Sequence, residues 1–171
     1  LFRRFWPFRR EKPAVIFDLD GTLIDSRALV DASFVHTMHE LKPSYIVTKQ
    51  DKDAFFGPPL QVSFARYFDS EAEVDHAVDV YRAYNKAHHD ELVTLFDGVE
   101  DVLRTLKERG YSLGVMSNKK RDIVDMGLSH TGIGRYIDAV LGGDENDRPK
   151  PDPQGILRVC GELRHDHDNL V

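Results

Sequence analysis

The first regular pattern along the chain is a continuous apolar run, Ala14-Val15-Ile16-Phe17, extended by Leu19. A run without polar alternation suits a strand buried on both faces of a parallel sheet, so Ala14 to Leu19 reads as the first strand. The pattern then changes to a helical period. Val30, Phe34, Met38 and Leu41 fall on one face, and Pro43 ends that helix. Gly57-Pro58-Pro59 forces a turn within residues 44–60, and Val74, Val78, Tyr81 and Tyr84 stripe a helix from about Glu71 to His89. Residues 25–95 therefore read as helices alone.

Strand and helix alternate from Asp97 onward. Asp97 with Glu100 resembles a capping box at the start of a helix carrying Val99, Val102, Leu103 and Leu106, which Gly110 stops. Tyr111 to Met116 reads as a second strand, Lys119 to His130 as a helix and Tyr136 to Leu141 as a third strand. Asp152 and Pro153 suit the start of a helix through Ile156, Cys160 and Leu163, and a fourth strand is expected from Asn169. Strands separated by helices pair in parallel through right-handed crossovers and bind ligands at their carboxyl ends. The expected fold class is α/β, with the all-helical stretch standing over those ends as a lid. No internal repeat or low-complexity tract interrupts this order.

Composition narrows the class. With 171 residues, 41% of them hydrophobic and 30% charged, the chain fits one domain, or a core with a modest insertion. No stretch reaches the roughly 20 apolar residues of a membrane helix, and no segment resembles a secretion signal, so a cytoplasmic protein is expected. Cys160 is the single cysteine, which excludes an intramolecular disulfide and a cysteine-built zinc site. The net charge of -6 is unevenly distributed. Residues 1–12 hold Arg3, Arg4, Arg9, Arg10 and Lys12 among Phe2, Phe5, Trp6 and Phe8, a basic aromatic leader. The acidic remainder argues against nucleic acid as a partner.

The chemistry concentrates where strands end. Asp18 and Asp20, in Phe17-Asp18-Leu19-Asp20-Gly21-Thr22-Leu23, point the same way at the end of an extended segment. Two adjacent carboxylates are best tolerated with a cation between them, and a divalent ion is the natural candidate. Asp18 is the candidate nucleophile toward phosphorus, and Asp20 the acid that protonates the leaving oxygen and later activates water. Gly21 and Thr22 offer backbone amides to phosphate oxygens. Ser117 and Asn118 end the second strand before a helix, where a hydroxyl and free amides bind phosphate. Lys150, in Arg148-Pro149-Lys150-Pro151-Asp152-Pro153, follows the third strand and can neutralise a transferring phosphoryl group.

These three segments, in this order and spacing, resemble motifs one to three of the haloacid dehalogenase superfamily, over roughly residues 13–171. The helical insert after motif one resembles that of its phosphatases with a small helical cap. Phe56-Gly57-Pro58-Pro59-Leu60 and Gly142-Gly143-Asp144 ahead of Lys150 resemble the phosphoglycolate phosphatase group and its bacterial pyrophosphatase relatives. The resemblance implies a Rossmann-like core of residues 13–24 and 96–171 and a helical cap of residues 25–95. It further implies Mg2+ held by the Asp18 carboxylate and the Asp20 carbonyl, and phosphate held by Ser117 and Lys150. Asp20 favours phosphate over halide chemistry, because dehalogenases lack this second aspartate. A small phosphorylated substrate is expected, phosphoglycolate or pyrophosphate foremost. The same core also supports phosphomutases.

The superfamily's fourth motif, an acidic loop completing the metal site, has no counterpart after Val171, so the core reads as C-terminally incomplete. Gly143-Asp144-Glu145-Asn146-Asp147 resembles that motif but follows the wrong strand, and is expected to line the substrate entrance as a polar loop. An open edge on strand one would invite self-association or a partner strand. A catalytically weak binding or assembly protein is accordingly the alternative from a different class. His165-Asp166-His167-Asp168 and the pairs His36 and His39, and His88 and His89, are expected to be surface or interhelix residues. The Tyr81 and Tyr84 stripe is expected to be cap packing.

Overall fold

The computed structural model describes residues 13–163. Three parallel strands form its sheet: β1 (Ala14–Phe17), β4 (Ser112–Met116) and β5 (Ala139–Leu141), in the order β1-β4-β5. Ala14 pairs with Ser112 and Gly114 with Ala139, so the strands run in register toward a common carboxyl end. The leader 1–12, the fourth strand expected from Asn169, the incomplete core inferred there and the His165–Asp168 cluster lie outside the described residues.

The period-two alternation of β4 builds two cores. Leu113 and Val115 face a cluster with Leu103 of α6 (Val99–Glu108), Val124 and Leu128 of α7 (Arg121–His130) and Ile133. On the other side Met116 joins Ala14, Leu141 and Val159 and Leu163 under α8 (Gln154–Glu162). At Gly114 the strand is bare toward α8, where a Cβ would lie 2.5 Å from Val159 Cγ1. Contact that close seats α8 on the sheet and fixes the loop that enters it.

Between β1 and β4 the chain makes a helical unit with a core of its own. α1 (Arg27–Leu41), α2 (Lys49–Phe55), α3 (Leu60–Phe64) and α4 (Glu71–Ala87) enclose Phe34, Met38, Phe55, Phe64, Val78 and Tyr81. Phe34 and Phe55 stack at 4.2 Å. Buried hydroxyls on α1 are satisfied locally: Ser33 Oγ donates to Leu29 O, Thr37 Oγ1 donates to Ser33 O, and Asn85 Nδ2 donates to Ser33 Oγ. Thr48 with Asp51 and Ser70 with Glu73 form full capping boxes at α2 and α4. A short α5 (His89–Leu92) leads back to the core. No described helix is long and apolar enough to cross a membrane.

Three local expectations change. Residues 25–95 are not helices alone, because β2 (Ile24–Asp25) pairs antiparallel with β3 (Thr94–Leu95) where the chain enters and leaves the helical unit. Two-residue strands are too short to show a period. The helix after Asp97 begins beyond Gly98, at φ 81°, with no side-chain cap, because Glu100 reaches Arg135 and Tyr136 instead. The third strand starts at Ala139, since Ile133–Tyr136 closes into a 3-10 turn. α2 and α3, flanking Gly57-Pro58-Pro59, carry too few apolar positions for a readable stripe.

Two glycines with opposite surroundings, buried Gly114 and exposed Gly161, give a stability test. Gly114→Ala should cost about 1–3 kcal/mol in urea denaturation because Val159 must move. Gly161→Ala, on α8 with nothing within 4 Å of its Cβ position, should be neutral or stabilising by up to about 1 kcal/mol.

Candidate active site

Parallel pairing places three loops at one edge of the sheet: Asp18 after β1, Ser117 after β4, and the segment reaching Lys150 after β5. Lys150 Nζ donates to Asp18 Oδ1 at 2.5 Å and to Met116 O at 3.3 Å. Its backbone N–H donates to Asn118 Oδ1 at 3.0 Å, so the loops after β4 and β5 are joined at the lysine itself. Asp18 Oδ1 also accepts from the Leu19 amide.

Asp20 has a separate cation. Lys119 Nζ donates to Asp20 Oδ1 at 2.6 Å, and the fully buried Ser26 donates its hydroxyl to the same oxygen at 2.5 Å. The two carboxylates thus differ in setting: the Asp18 side chain is 43% exposed and that of Asp20 16%. An open carboxylate can meet an incoming group, and an enclosed, oriented one can hand over a proton. Burial first, with the charges of Asp20 and Asp31 adding, pushes the Tyr81 phenol up, so it remains a neutral part of the wall.

Ser117 is buried, accepts from the Lys119 amide through Oγ at 3.1 Å, and donates its own N–H to Leu141 O. Among the described residues nothing accepts its hydroxyl proton. Asn118 lines the cavity, but its carboxamide oxygen is taken up in holding Lys150.

Gly21 and Thr22 need correction as phosphate donors. The Gly21 N–H donates to Ile24 O at 2.9 Å and the Thr22 N–H to Leu19 O at 3.3 Å, closing the turn after β1, and neither residue lines the cavity. Gly21 serves that turn through its φ of 76°. The acidic loop after β5 does not line the cavity either. Asp144 accepts from the Arg121 amide and Glu145 pairs with Arg121, while the Gly143 N–H donates to Lys119 O. The loop therefore braces the start of α7 and the Ser117–Lys119 segment. A Cβ on Gly143 would lie 2.3 Å from Asn118 O, so only glycine fits that brace.

A cavity of about 360 Å³ opens over these groups, lined by Asp18, Asp20, Ser117, Asn118, Lys119 and Lys150 from the core. The helical unit roofs it with Phe55 to Gln61 and with Tyr81, Arg82, Asn85 and Lys86 of α4. Phe56 sits against Gly21 and under the Arg27 guanidinium, which pairs with Asp31 and Asp53. Sequence reasoning missed Lys119, Ser26 and the basic face of α4. Lys119 follows the Ser-Asn pair directly, so its place was readable; the other two depend on tertiary approach.

The histidines fall elsewhere. His36 and His88 stack on Tyr84, and the buried His89 faces Asp90 and His130. The hydrogen bond from His89 holds the Asp90 carboxyl below the usual range.

A protein-family profile described as haloacid dehalogenase-like hydrolase matches residues 15–171. The chain belongs to the haloacid dehalogenase-like hydrolases. A pyrophosphatase PpaX from Bacillus velezensis is 43% identical over 158 residues, which are 92% of this chain and 72% of that relative. One from Listeria monocytogenes serotype 4a is 39% identical over 92% of the chain and 71% of its own length. Among solved structures, a predicted phosphatase from Clostridium acetobutylicum superposes with a TM-score of 0.80 at 30% identity, covering 94% of this chain and 75% of its own. A haloacid dehalogenase-like hydrolase from Bacteroides fragilis shares the fold at a TM-score of 0.85 and 22% identity, covering 94% and 77%. These matches accord with an α/β hydrolase built on a parallel Rossmann-like sheet.

Lys150 sets its ammonium on Asp18 in the cavity, where an anion would meet it. Lys150→Ala should weaken binding of inorganic phosphate, read by titration calorimetry, by about tenfold or more. Lys107→Ala, which removes a surface pair with Asp138, should leave that affinity within about twofold.

Proposed function

We propose that this hydrolase is a Mg2+-dependent phosphatase of small phosphorylated compounds, working through an aspartyl phosphate on Asp18. The observation that carries the reading is the Asp18–Lys150 contact of 2.5 Å on a roofed cavity, beside a second carboxylate with its own lysine. Asp18 Oδ2 accepts no hydrogen bond among the described residues, which leaves an oxygen lone pair for phosphorus.

In the first step an Asp18 oxygen forms the new bond to phosphorus as the bond to the leaving oxygen breaks. Asp20 gives its proton to that oxygen. Lys150 and the Ser117 hydroxyl balance the charge on the phosphoryl oxygens. Asp20, now a base, takes a proton from water, the water oxygen attacks phosphorus, and Asp18 leaves as a free carboxylate with inorganic phosphate. Ser26 and Lys119 hold Asp20 in one orientation for both transfers. The α4 wall and the Phe56-Gly57-Pro58-Pro59 segment keep bulk water from the first step.

Magnesium needs hard oxygen donors, often only one or two protein carboxylates, with water and phosphate completing its shell. Asp18 and the Asp20 carbonyl fit that demand, since the carbonyl accepts no hydrogen bond from the described residues. No cluster of three or more His, Cys, Asp or Glu side chains among the described residues competes for the ion. Bound there, Mg2+ would neutralise charge on the non-bridging phosphate oxygens.

Pyrophosphate and phosphoglycolate are the substrates we assign first. The 43% identical relative is named a pyrophosphatase, which favours the former. Phosphate release across a phosphate-ester and pyrophosphate panel, with Mg2+ and with chelator, tests the activity. Asp18→Asn should reduce turnover to background and remove the trappable acyl phosphate, and retained turnover would eliminate Asp18 as nucleophile. Asp20→Asn should lower kcat by about 10²–10⁴-fold.

A further inference from the structure

The chemistry above leaves part of the cavity unused. Five cationic side chains line it, Arg82, Lys86, Lys119, Lys120 and Lys150, against the carboxylates of Asp18, Asp20 and Asp122. Lys150 and Lys119 are engaged by Asp18 and Asp20, and Asp122 Oδ1 accepts from the Ile123 amide within α7. The side chains of Arg82, Lys86 and Lys120 make no hydrogen bond or ion pair with the described residues. Elsewhere among the described residues most arginines and Lys107 are partnered, while Lys49, Lys52 and Arg109 make no ion pair but do not line the cavity. Arg27 pairs with Asp31 and Asp53, Arg104 with Asp101 and Glu108, Lys107 with Asp138, and Arg121 with Asp125 and Glu145. In a chain of net charge -6, carboxylates are not scarce. Unpaired cations gathered at one cleft therefore mark an anion that the protein itself does not supply.

Their placement says which part of a substrate that anion belongs to. Arg82 and Lys86 are four residues apart on α4 and leave the same helical face. Their helix belongs to the roof, while Asp18, Lys150 and Ser117 belong to the sheet edge. Lys120 adds a third charge from the residue that precedes α7. Like charges around a partly enclosed cavity repel more strongly than on open surface, and an anion between them relieves that repulsion. The transferring phosphoryl group has its partners on the sheet side, so the roof is left for the other half of the substrate.

Resting on the phosphatase reading, we propose that Arg82 and Lys86, with Lys120, form a second anion subsite that binds the departing half of the substrate. The enzyme then selects compounds whose leaving group carries its own negative charge, a phosphate or a carboxylate. A neutral leaving half leaves the three cations uncompensated and gains nothing from the roof. The subsite adds binding and orientation to the two-step hydrolysis and changes none of its bonds.

The test compares kcat/KM of the full chain for pyrophosphate, for phosphoglycolate and for glycerol 1-phosphate, whose departing glycerol is uncharged. In the double variant Arg82→Gln/Lys86→Gln, the ratio of pyrophosphate to glycerol 1-phosphate should fall by about tenfold to a hundredfold, mainly through KM. Arg82→Lys should keep most of the ratio. The anionic substrate that loses more identifies the second anion as phosphate or carboxylate. A ratio unchanged in the double variant, with the wild type active, overturns the subsite alone. A wild type that hydrolyses none of the three overturns the phosphatase reading and the subsite with it.

Discussion

Two carboxylates stand one residue apart beyond an apolar strand, and the rest of the structure is arranged around their charge. Asp18 is balanced by Lys150 and Asp20 by Lys119, at 2.5 and 2.6 Å. Neither lysine is near its partner in sequence. Both arrive because three strands run parallel and end at one edge, so that loops from β4 and β5 converge on the loop from β1. An antiparallel neighbour would have sent its loop to the opposite edge.

That convergence explains several packing choices far from any reaction. The absence of a side chain at Gly114 lets α8 lie directly on β4, which sets the path of the segment carrying Lys150. Gly143 approaches Asn118, and Asn118 in turn receives the Lys150 amide. The acidic residues Asp144 and Glu145 hold the start of α7 through Arg121, and so support Lys119 and Lys120 from below. The helical unit has a separate aromatic core and meets the sheet edge through Phe56, Tyr81 and the basic face of α4. Its two-strand stem, β2 with β3, ties its entry and exit to one another beside Asp20.

How legible this was depended on the range of the interactions involved. The long stripes of α1 and α4 and the apolar run of β4 were readable, because each repeats one local period over many residues. The two-residue strands at the stem were not, since two residues carry no period. Asp97 and Glu100 looked like a helix start by type and spacing, yet Glu100 is drawn to Arg135 and Tyr136, a contact across the fold. Gly21 and Thr22 looked like phosphate donors because glycine-containing turns often expose amides, but here the turn closes on Ile24 O and Leu19 O. Asn118 lines the cavity as its position after β4 suggests, and its carboxamide oxygen also orients Lys150, a contact that only the fold reveals.

The amino-acid sequence by itself determined the alternation of elements, the adjacency of Asp18 and Asp20 and the chemistry available at Ser117 and Lys150. Those follow from side-chain type, local period and position relative to strand ends. Only the tertiary structure decided which lysine neutralises which aspartate, that Asp20 is the more enclosed of the two, and that Arg82 and Lys86 line the same cavity. Charge pairing falls off within a few ångströms, and residues some 99 and 132 positions apart reach that range only through the fold.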